Sequence, residues 1–274
     1  MVLKERIGFF LPSLGFTNPS DSIDFVKKRG GLVQAWTISA ILAHEQKYGI
    51  PFDFLKKKFC SGRLKISSLS GYMDWTDENK NHQRKEEFKR IVNQCAELKT
   101  DIICTETGRN FSERNDEKAW FILTKSIREL CRFAETKNVR IAIEMGRRDL
   151  VFGIAAFKKL QDTVGCNNLK INFDPANLFR GGLNPVDVLE ELKGDIVQVH
   201  LKDADKNGMS PLTKGNVDFL RIFDILENNG YKGNYIIEQE YVDKRMHERV
   251  NNDYETAIQK FCNVKIFKRK HEFL

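Results

Sequence analysis

Residues 139–174 read VRIAIEMGRRDLVFGIAAFKKLQDTVGCNNLKINFD. The stretch begins with an apolar run that ends at Glu144, continues with a helical pattern over 153–163, and closes with a second apolar run that ends at Asp174. Short apolar runs separated by amphipathic sequence are typical of parallel strands joined by helical crossovers. This stretch therefore predicts one β/α unit followed by the strand of the next.

The same unit recurs along the chain at a mean spacing of about 34 residues. The predicted β runs are Ile7–Leu11, Leu32–Trp36, Leu64–Leu69, Asp101–Thr105, Val139–Ile143, Leu169–Phe173, Ile196–Leu201 and Tyr235–Ile237. Helical sequence follows each run, including a predicted helix over Thr37–Tyr48 and one that begins after Asn216 as its N-cap. Eight such units predict an α/β fold, a single (β/α)8 TIM barrel that spans residues 1–274 as one domain.

An open, doubly wound sheet is the competing architecture. No Gly-x-Gly-x-x-Gly motif follows the first β run, which argues against the dinucleotide-binding form of that sheet. The sequence shows neither a linker nor a short repeat, so a single barrel is the simpler interpretation.

Composition limits the classes of partner. The chain has 274 residues, of which 41% are hydrophobic, and 45 basic against 38 acidic residues give a net charge of +7. The basic residues are scattered among acidic neighbours, except in a short basic C-terminal tail with Lys265, Lys268, Arg269 and Lys270. We therefore expect no nucleic-acid partner, and no apolar stretch is long enough to predict a membrane span. The six cysteines form no Cys-x-x-Cys motif, as expected for a cytoplasmic protein with free thiols.

Polar residues end four successive β runs in the second half of the chain. These residues are Glu144, Asp174, His200 and Glu238, at intervals of 30, 26 and 38 residues. In a TIM barrel, the carboxyl ends of the strands lie on one rim, so the four side chains can converge there. Three carboxylates crowd together only when a cation neutralises them, and three oxygens with one imidazole suit Mn²⁺, Mg²⁺, Co²⁺ or Zn²⁺.

Each residue also has an ordinary structural explanation when it is taken alone. Glu144 could pair with Arg147 or Arg148, the Asp174–Pro175 pair could form a turn, and a single histidine in a strand is often a core residue. The matched positions on four consecutive units favour the metal site.

At these residues the chain resembles the sugar isomerase/epimerase superfamily of xylose isomerase-like TIM barrels, which also contains endonuclease IV-type enzymes. The matching stretches are IAIEMG, NFDPANL, VHLKDA and GNVDFLRIFDILENNGYKGNYIIEQE, and they lie within residues 139–240. The resemblance implies one divalent metal ion held by Glu144, Asp174, His200 and Glu238. Mn²⁺ is the first choice, with Mg²⁺, Co²⁺ or Zn²⁺ as alternatives. The spacing from Gly230 selects Glu238 rather than Glu240 as the last ligand.

The resemblance further implies a metal-dependent sugar isomerase or epimerase of carbohydrate metabolism. Its substrate would be a ketose, keto-sugar or sugar phosphate, enolised through a metal-stabilised enediolate. Glu144 and Glu238 are the predicted catalytic residues, because each could exchange a proton with the substrate from its own side. The predicted substrate contacts are Asn177, Lys202, Asp203 and Glu106, with an ion pair to Arg109 as the alternative role for Glu106.

Three other functions stay open. An inosose-type dehydratase of a keto-polyol would use the same metal and base but expel a hydroxyl group. An endonuclease IV-type AP endonuclease would need several histidines, whereas only His200 of the five ends a β run. A sugar-binding barrel without turnover is the non-catalytic alternative. The expected partner is a small-molecule sugar, and relatives suggest a homodimer or homotetramer.

Overall fold

Eight parallel strands close into a barrel in the computed structural model, which describes residues 3–16, 18–38, 50–108, 116–240 and 245–262. The strands are β1 (Ile7–Phe10), β2 (Leu32–Ile38), β3 (Lys65–Ser70), β4 (Ile102–Thr105), β5 (Arg140–Glu144), β6 (Leu169–Phe173), β7 (Ile196–Leu201) and β8 (Asn234–Ile237). Each strand pairs with the next one in the chain, and β1 pairs with both β8 and β2, which closes the barrel. The predicted TIM barrel is confirmed.

Helices cover the outside of the barrel. They are α1 (Pro19–Lys27), α2 (Phe52–Cys60), α3 (Glu78–Glu97), α4 (Asp116–Glu135), α5 (Ile154–Val164), α6 (Pro175–Arg180), α7 (Pro185–Leu192), α8 (Phe219–Asn228) and α9 (Met246–Ala257). A two-residue strand at Ile50–Pro51 pairs with the end of β2, and a small hairpin joins Asp203–Asp205 to Gly208–Ser210. The predicted helix over Thr37–Tyr48 and the basic C-terminal tail lie mostly or wholly outside the described residues.

One predicted helix start is wrong. The N-cap of α8 is Asp218 and not Asn216, because the Asp218 side chain accepts a hydrogen bond from the Arg221 N–H at 3.0 Å. The backbone N–H of Asn216 instead donates to Ala204 O at 2.8 Å, which ties this residue to the preceding hairpin.

Alternation along the strands divides the apolar side chains between two regions. In β5, Ile141 and Ile143 belong to the large core between strands and helices, whereas Ala142 belongs to a small cluster with Ile102 and Cys104. The latter group faces the barrel interior, since side chains of a strand alternate between its two faces. The main core is therefore the layer between barrel and helices, which leaves the interior available for polar groups.

A polar layer crosses the barrel interior. Ser68 Oγ of β3 donates to Gln198 Oε1 of β7 at 2.8 Å, and Gln198 Nε2 donates to Gln34 Oε1 of β2 at 2.7 Å. Because β7 is a neighbour of neither β2 nor β3, both hydrogen bonds span the barrel interior. All three side chains are fully or almost fully buried. The layer lies directly below the ends of the strands where the predicted site residues sit.

Within the described residues, no helix combines the length and the apolar character needed to span a bilayer.

Gly8 lies where β1 packs closely against β2 to close the barrel. A side-chain carbon at Gly8 would lie 2.6 Å from Leu32 O and 2.7 Å from Leu32 Cγ. We expect Gly8→Ala to lower the free energy of unfolding by about 1–3 kcal/mol, because the overlap pushes β1 away from β2. Urea denaturation measures the change. The matched control is Gly194→Ala, where nothing lies within 4 Å of the new carbon, and an equal loss in both variants would contradict the closure argument.

Candidate active site

The four residues that end successive strands converge at one end of the barrel. Glu144 is the last residue of β5, Asp174 follows β6 as the N-cap of α6, His200 lies in β7, and Glu238 follows β8. One ligand atom of each lies within 4.8 Å of those of the other three. The structure thus brings together all four predicted ligands in a geometry that one cation can bridge.

The charge of the cluster matches a divalent cation. Lys202 is buried, and its Nζ lies 3.3 Å from both Asp174 Oδ2 and Glu238 Oε2. It also lies 2.7 Å from Glu240 Oε1, but that side chain is 54% exposed and its charge is screened by water. The three buried carboxylates and the one ammonium leave two negative charges, which a divalent ion would cancel.

The hydrogen bonds leave coordination positions open. Asp174 Oδ1 accepts the Asn177 N–H at 2.9 Å, whereas Asp174 Oδ2 is buried, accepts no hydrogen bond and faces the Lys202 ammonium at 3.3 Å. Lys202 shares its charge with Glu238 and Glu240, so this buried oxygen is only partly satisfied and a further cation would stabilise it. This oxygen, the charge balance and the oxygen-rich donor set together fit a metal ion.

Gln34 orients the imidazole of His200. His200 Nε2 lies 2.8 Å from Gln34 Oε1, and Nδ1 lies 2.8 Å from Glu238 Oε2 and 3.3 Å from Glu144 Oε2. An amide oxygen only accepts, so Nε2 carries the proton and donates it to Gln34. Nδ1 is then the atom free to bind a metal, as in other sites where a second partner sets the histidine tautomer.

Neighbouring side chains hold Glu144 through both of its oxygens. Tyr72 OH donates to Glu144 Oε2 at 2.6 Å and Asn172 Nδ2 donates to the same oxygen at 2.9 Å. Asn177 Nδ2 donates to Oε1 at 2.9 Å. Glu238 differs, since Oε2 contacts His200 and Lys202 while the described residues provide no hydrogen-bond donor to Oε1. The two predicted catalytic carboxylates are therefore not equivalent.

Burial and crowding shift the pKa values of the cluster. Burial raises the pKa of Glu144 to about 8, since the positive charges of His200 and Lys202 offset only part of it. Burial also raises the pKa of Asp174. Burial lowers the pKa of His200, but the charges of Glu238 and Glu144 outweigh it and raise the value to about 9. Without a cation, the cluster thus retains protons at neutral pH.

Glu238 and Lys202 are shifted toward their charged forms. Burial would raise the pKa of Glu238, but Lys202 and His200 hold it well below its usual value. Burial would lower the pKa of Lys202, but the charges of Asp174 and Glu238 hold it well above its usual value. Glu238 is therefore the carboxylate that stays ionised at neutral pH and keeps an oxygen without a donor.

A cavity of about 370 Å³ opens above the cluster. Its lining comprises an aromatic wall, two residues of the cluster and a charged rim: Phe10, Trp36, Tyr72, Glu106, Glu144, Gly146, Arg147, Arg148, Asp149, Asn177, Arg180, Lys202, Glu238 and Glu240. A volume of this size suits a small molecule.

Three of the four predicted substrate contacts line this cavity, namely Glu106, Asn177 and Lys202. Asp203 does not. Its buried carboxylate accepts the backbone N–H groups of Ala204 at 2.8 Å and Gly215 at 2.9 Å. It organises the loop after β7, so we remove it from the substrate contacts. The alternative pairing of Glu106 with Arg109 lies outside the described residues.

Sequence reasoning missed Gln34, Tyr72 and Asn172. One of the three carries a detectable signal, because strand alternation places Asn172 on the same face as Asp174. A search two residues back from each predicted ligand would have found Asn172. Tyr72 lies in a loop after β3, where no periodicity applies.

Comparison with known proteins agrees with this geometry. The family model for the xylose isomerase-like TIM barrel matches residues 41–262. An inosose dehydratase of Clostridium beijerinckii is 23% identical over 88% of this chain and 92% of its own length.

Two solved structures share the fold. A structure of the IOLI protein with a bound zinc atom superposes with a TM-score of 0.77 at 17% identity, over 93% of this chain and 97% of that one. The 3-keto-D-glucoside 4-epimerase YcjR from E. coli superposes with a TM-score of 0.76 at 16% identity, over 93% and 99%.

Gln34→Leu tests the orientation of His200. We expect a loss of about 10- to 100-fold in Mn²⁺ affinity, because the imidazole is no longer held with Nδ1 toward the cluster. Calorimetric titration of the metal-free protein measures the affinity. Ser68→Ala is the matched control, since it removes a hydrogen bond of the same polar layer but makes none to Gln34 or His200. Equal Mn²⁺ affinity in the two folded variants would contradict the assignment.

The shifted pKa values predict that metal uptake depends on pH. At pH 7, Glu144 (pKa about 8) and His200 (pKa about 9) hold protons that a metal must displace. Affinity for Mn²⁺ should therefore rise as pH increases toward about 9, with release of up to about two protons per ion at pH 7. Calorimetry in buffers of different ionisation enthalpy counts the protons. A pH-independent affinity would show that these groups do not bind the ion.

Proposed function

The chain belongs to the xylose isomerase-like TIM-barrel family, and on this basis we propose that it is a divalent-metal-dependent enzyme. Its proposed reaction starts with removal of a proton from the carbon next to a carbonyl group of a sugar-like substrate. The observation that carries the proposal is the convergence of Glu144, Asp174, His200 and Glu238 below a cavity of small-molecule size.

The metal and the carboxylates have separate tasks in this proposal. When bound, the cation supplies Lewis-acid stabilisation of negative charge on the carbonyl oxygen. Glu238 removes the proton, since it stays ionised and its Oε1 lacks a donor. Lys202 keeps its positive charge beside the developing negative charge. The aromatic wall of Phe10, Trp36 and Tyr72 shields the reacting carbon from water.

Three outcomes can follow the same first step. Return of the proton to the neighbouring carbon gives isomerisation, and return from the other face of the same carbon gives epimerisation. Expulsion of a hydroxyl group on the next carbon, as water, gives dehydration. Epimerisation needs a second carboxylate on the opposite face of the substrate, and Glu144 is the candidate.

Dehydration is the outcome that we favour. Both oxygens of Glu144 are engaged by Tyr72, Asn172 and Asn177, whereas Glu238 keeps its Oε1 without a donor among the described residues, which favours Glu238 as the base. A dehydration needs one base and a proton for the departing hydroxyl, and the proton that Glu238 takes from carbon can be passed to that hydroxyl. Among the relatives, the inosose dehydratase from Clostridium beijerinckii supports this choice. An isomerase or epimerase of a ketose, keto-sugar or sugar phosphate remains the second candidate, supported by the structural likeness to an epimerase.

An AP endonuclease ranks below both. Within the described residues, His200 is the only histidine of the cluster. His82 is exposed on α3, and His247 stacks on Phe16 at 4.9 Å between ring centroids. His44 and His271 lie outside the described residues.

Solvent exchange tests the proposal. In deuterated water with Mn²⁺, a panel of ketoses, keto-polyols and their acidic derivatives should include a compound that gains deuterium next to its carbonyl. We expect Glu238→Gln and Glu144→Gln each to lower that rate by about 100-fold or more, because each removes a carboxylate from the reacting centre. Measurements at saturating Mn²⁺, with bound metal determined, separate catalysis from metal loss.

Glu240→Gln is the matched control, since it neutralises an exposed carboxylate two positions after Glu238, at the same strand end. Exchange retained by both site variants would exclude the proposed carboxylate chemistry. Proton NMR of the product then separates the outcomes, because dehydration creates a carbon–carbon double bond and epimerisation changes only one stereocentre.

A further inference from the structure

The rim of the cavity carries three arginines that the chemistry above does not use. We propose that Arg147, Arg148 and Arg180 bind an anionic group of the substrate, a carboxylate or a phosphate, at the rim of the cavity. This inference rests on the proposed function, since it names the class of molecule that the same site takes.

A rigid turn presents two of these arginines. The Asp149 N–H donates to Gly146 O at 2.9 Å, and the Gly146 N–H donates to Asp149 Oδ2 at 3.0 Å. Arg147 and Arg148 are the two central residues of this turn. Asp149 is only 8% exposed, and a side-chain carbon at Gly146 would lie 2.9 Å from its Oδ2. The turn is therefore closed by a buried carboxylate and has no room for a larger residue at its start.

The segment that follows this turn is anchored to the neighbouring loop. The Leu150 N–H donates to Gly108 O at 2.9 Å, and the Val151 N–H donates to Thr107 Oγ1 at 3.3 Å. A backbone held in this way keeps its two guanidinium groups beside the cavity at a small entropic cost on binding.

Arg180 joins them from the next unit of the barrel. It lies in the last turn of α6, the short helix whose N-cap is Asp174. Because β5 and β6 are adjacent, the turn and the helix end border the same side of the cavity, and all three arginines line it. In the described part of the chain, none of the three has a carboxylate within ion-pair distance.

The three guanidinium groups border one cavity and repel one another, an effect that water weakens at the exposed Arg147 and Arg148. Other surface arginines form ion pairs, for example Arg221 with Asp224 and Arg140 with Asp101. An anion on the substrate would supply the missing charge, and the planar fork of arginine matches both carboxylate and phosphate. The cavity thus combines a candidate metal site for a carbonyl with a cationic rim for an anion.

Matched pairs of ketoses test the inference. The neutral probe is D-fructose, and its anionic counterparts are D-fructose 6-phosphate and 5-keto-D-gluconate, each titrated into the Mn²⁺-loaded protein by calorimetry. We expect at least one anionic probe to bind about 100-fold more tightly than D-fructose. The anion that binds more tightly identifies phosphate or carboxylate as the natural group.

Two variants assign the effect to the arginines. The double variant Arg147→Ala with Arg148→Ala and the single variant Arg180→Ala should each weaken binding of the anionic probe about 10- to 100-fold, a loss typical of a charge-assisted hydrogen bond. Binding of D-fructose should stay unchanged. Arg132→Ala is the control, because Arg132 is exposed on α4 away from the cavity. Mn²⁺ affinity reports that the variants fold.

Each result decides one of the two proposals. Equal affinity for neutral and anionic probes, or anion affinity that the variants do not change, would overturn the inference, even if deuterium exchange supports the enzyme. If no substrate exchanges deuterium but anion binding still depends on the arginines, the proposed reaction is overturned and the anion site is supported. Where exchange occurs, the variants should raise KM for the anionic probe and leave kcat within about threefold.

Discussion

Three carboxylates buried at one end of the barrel are the constraint on which the rest of the site depends. Glu144, Asp174 and Glu238 cannot all be ionised there without positive charge nearby. Lys202 supplies one charge from within the chain, and the two that remain match a divalent ion. The pKa values of Glu144 and His200 are raised in the absence of that ion, because bound protons reduce the excess negative charge of the cluster. The site is built to be completed by a cation.

The interior of the barrel shows how this cluster is kept in place. The main apolar core lies between strands and helices, so the upper interior can hold a polar layer without loss of hydrophobic burial. Gln198 and Gln34 carry hydrogen bonds across it to His200, and Asn172 carries them to Glu144. Buried polar groups are tolerated when each has a partner, and such a network also fixes the orientation of the ligands.

The second half of the barrel was predictable because each strand ends in a residue of distinct chemistry. Glu144, Asp174 and Glu238 are strand-end carboxylates at regular spacing, and that spacing placed them on one rim. Local backbone geometry was harder to predict from the sequence. The Asp174–Pro175 pair begins the helix α6, although Asp-Pro is often a turn. Asp203 lies next to the cluster in sequence but turns into its own loop. Contacts between distant segments, such as Tyr72 with Glu144, leave no local pattern.

The hydrogen bond from His200 to Gln34 also bears on how the protein folds. The four candidate ligands lie in or directly after β5 to β8, yet the imidazole of His200 takes its orientation from β2 and Glu144 takes a hydrogen bond from the loop after β3. A nascent chain that has formed only one half of the barrel therefore lacks part of the site. High-affinity metal capture would then coincide with closure of the barrel late in folding.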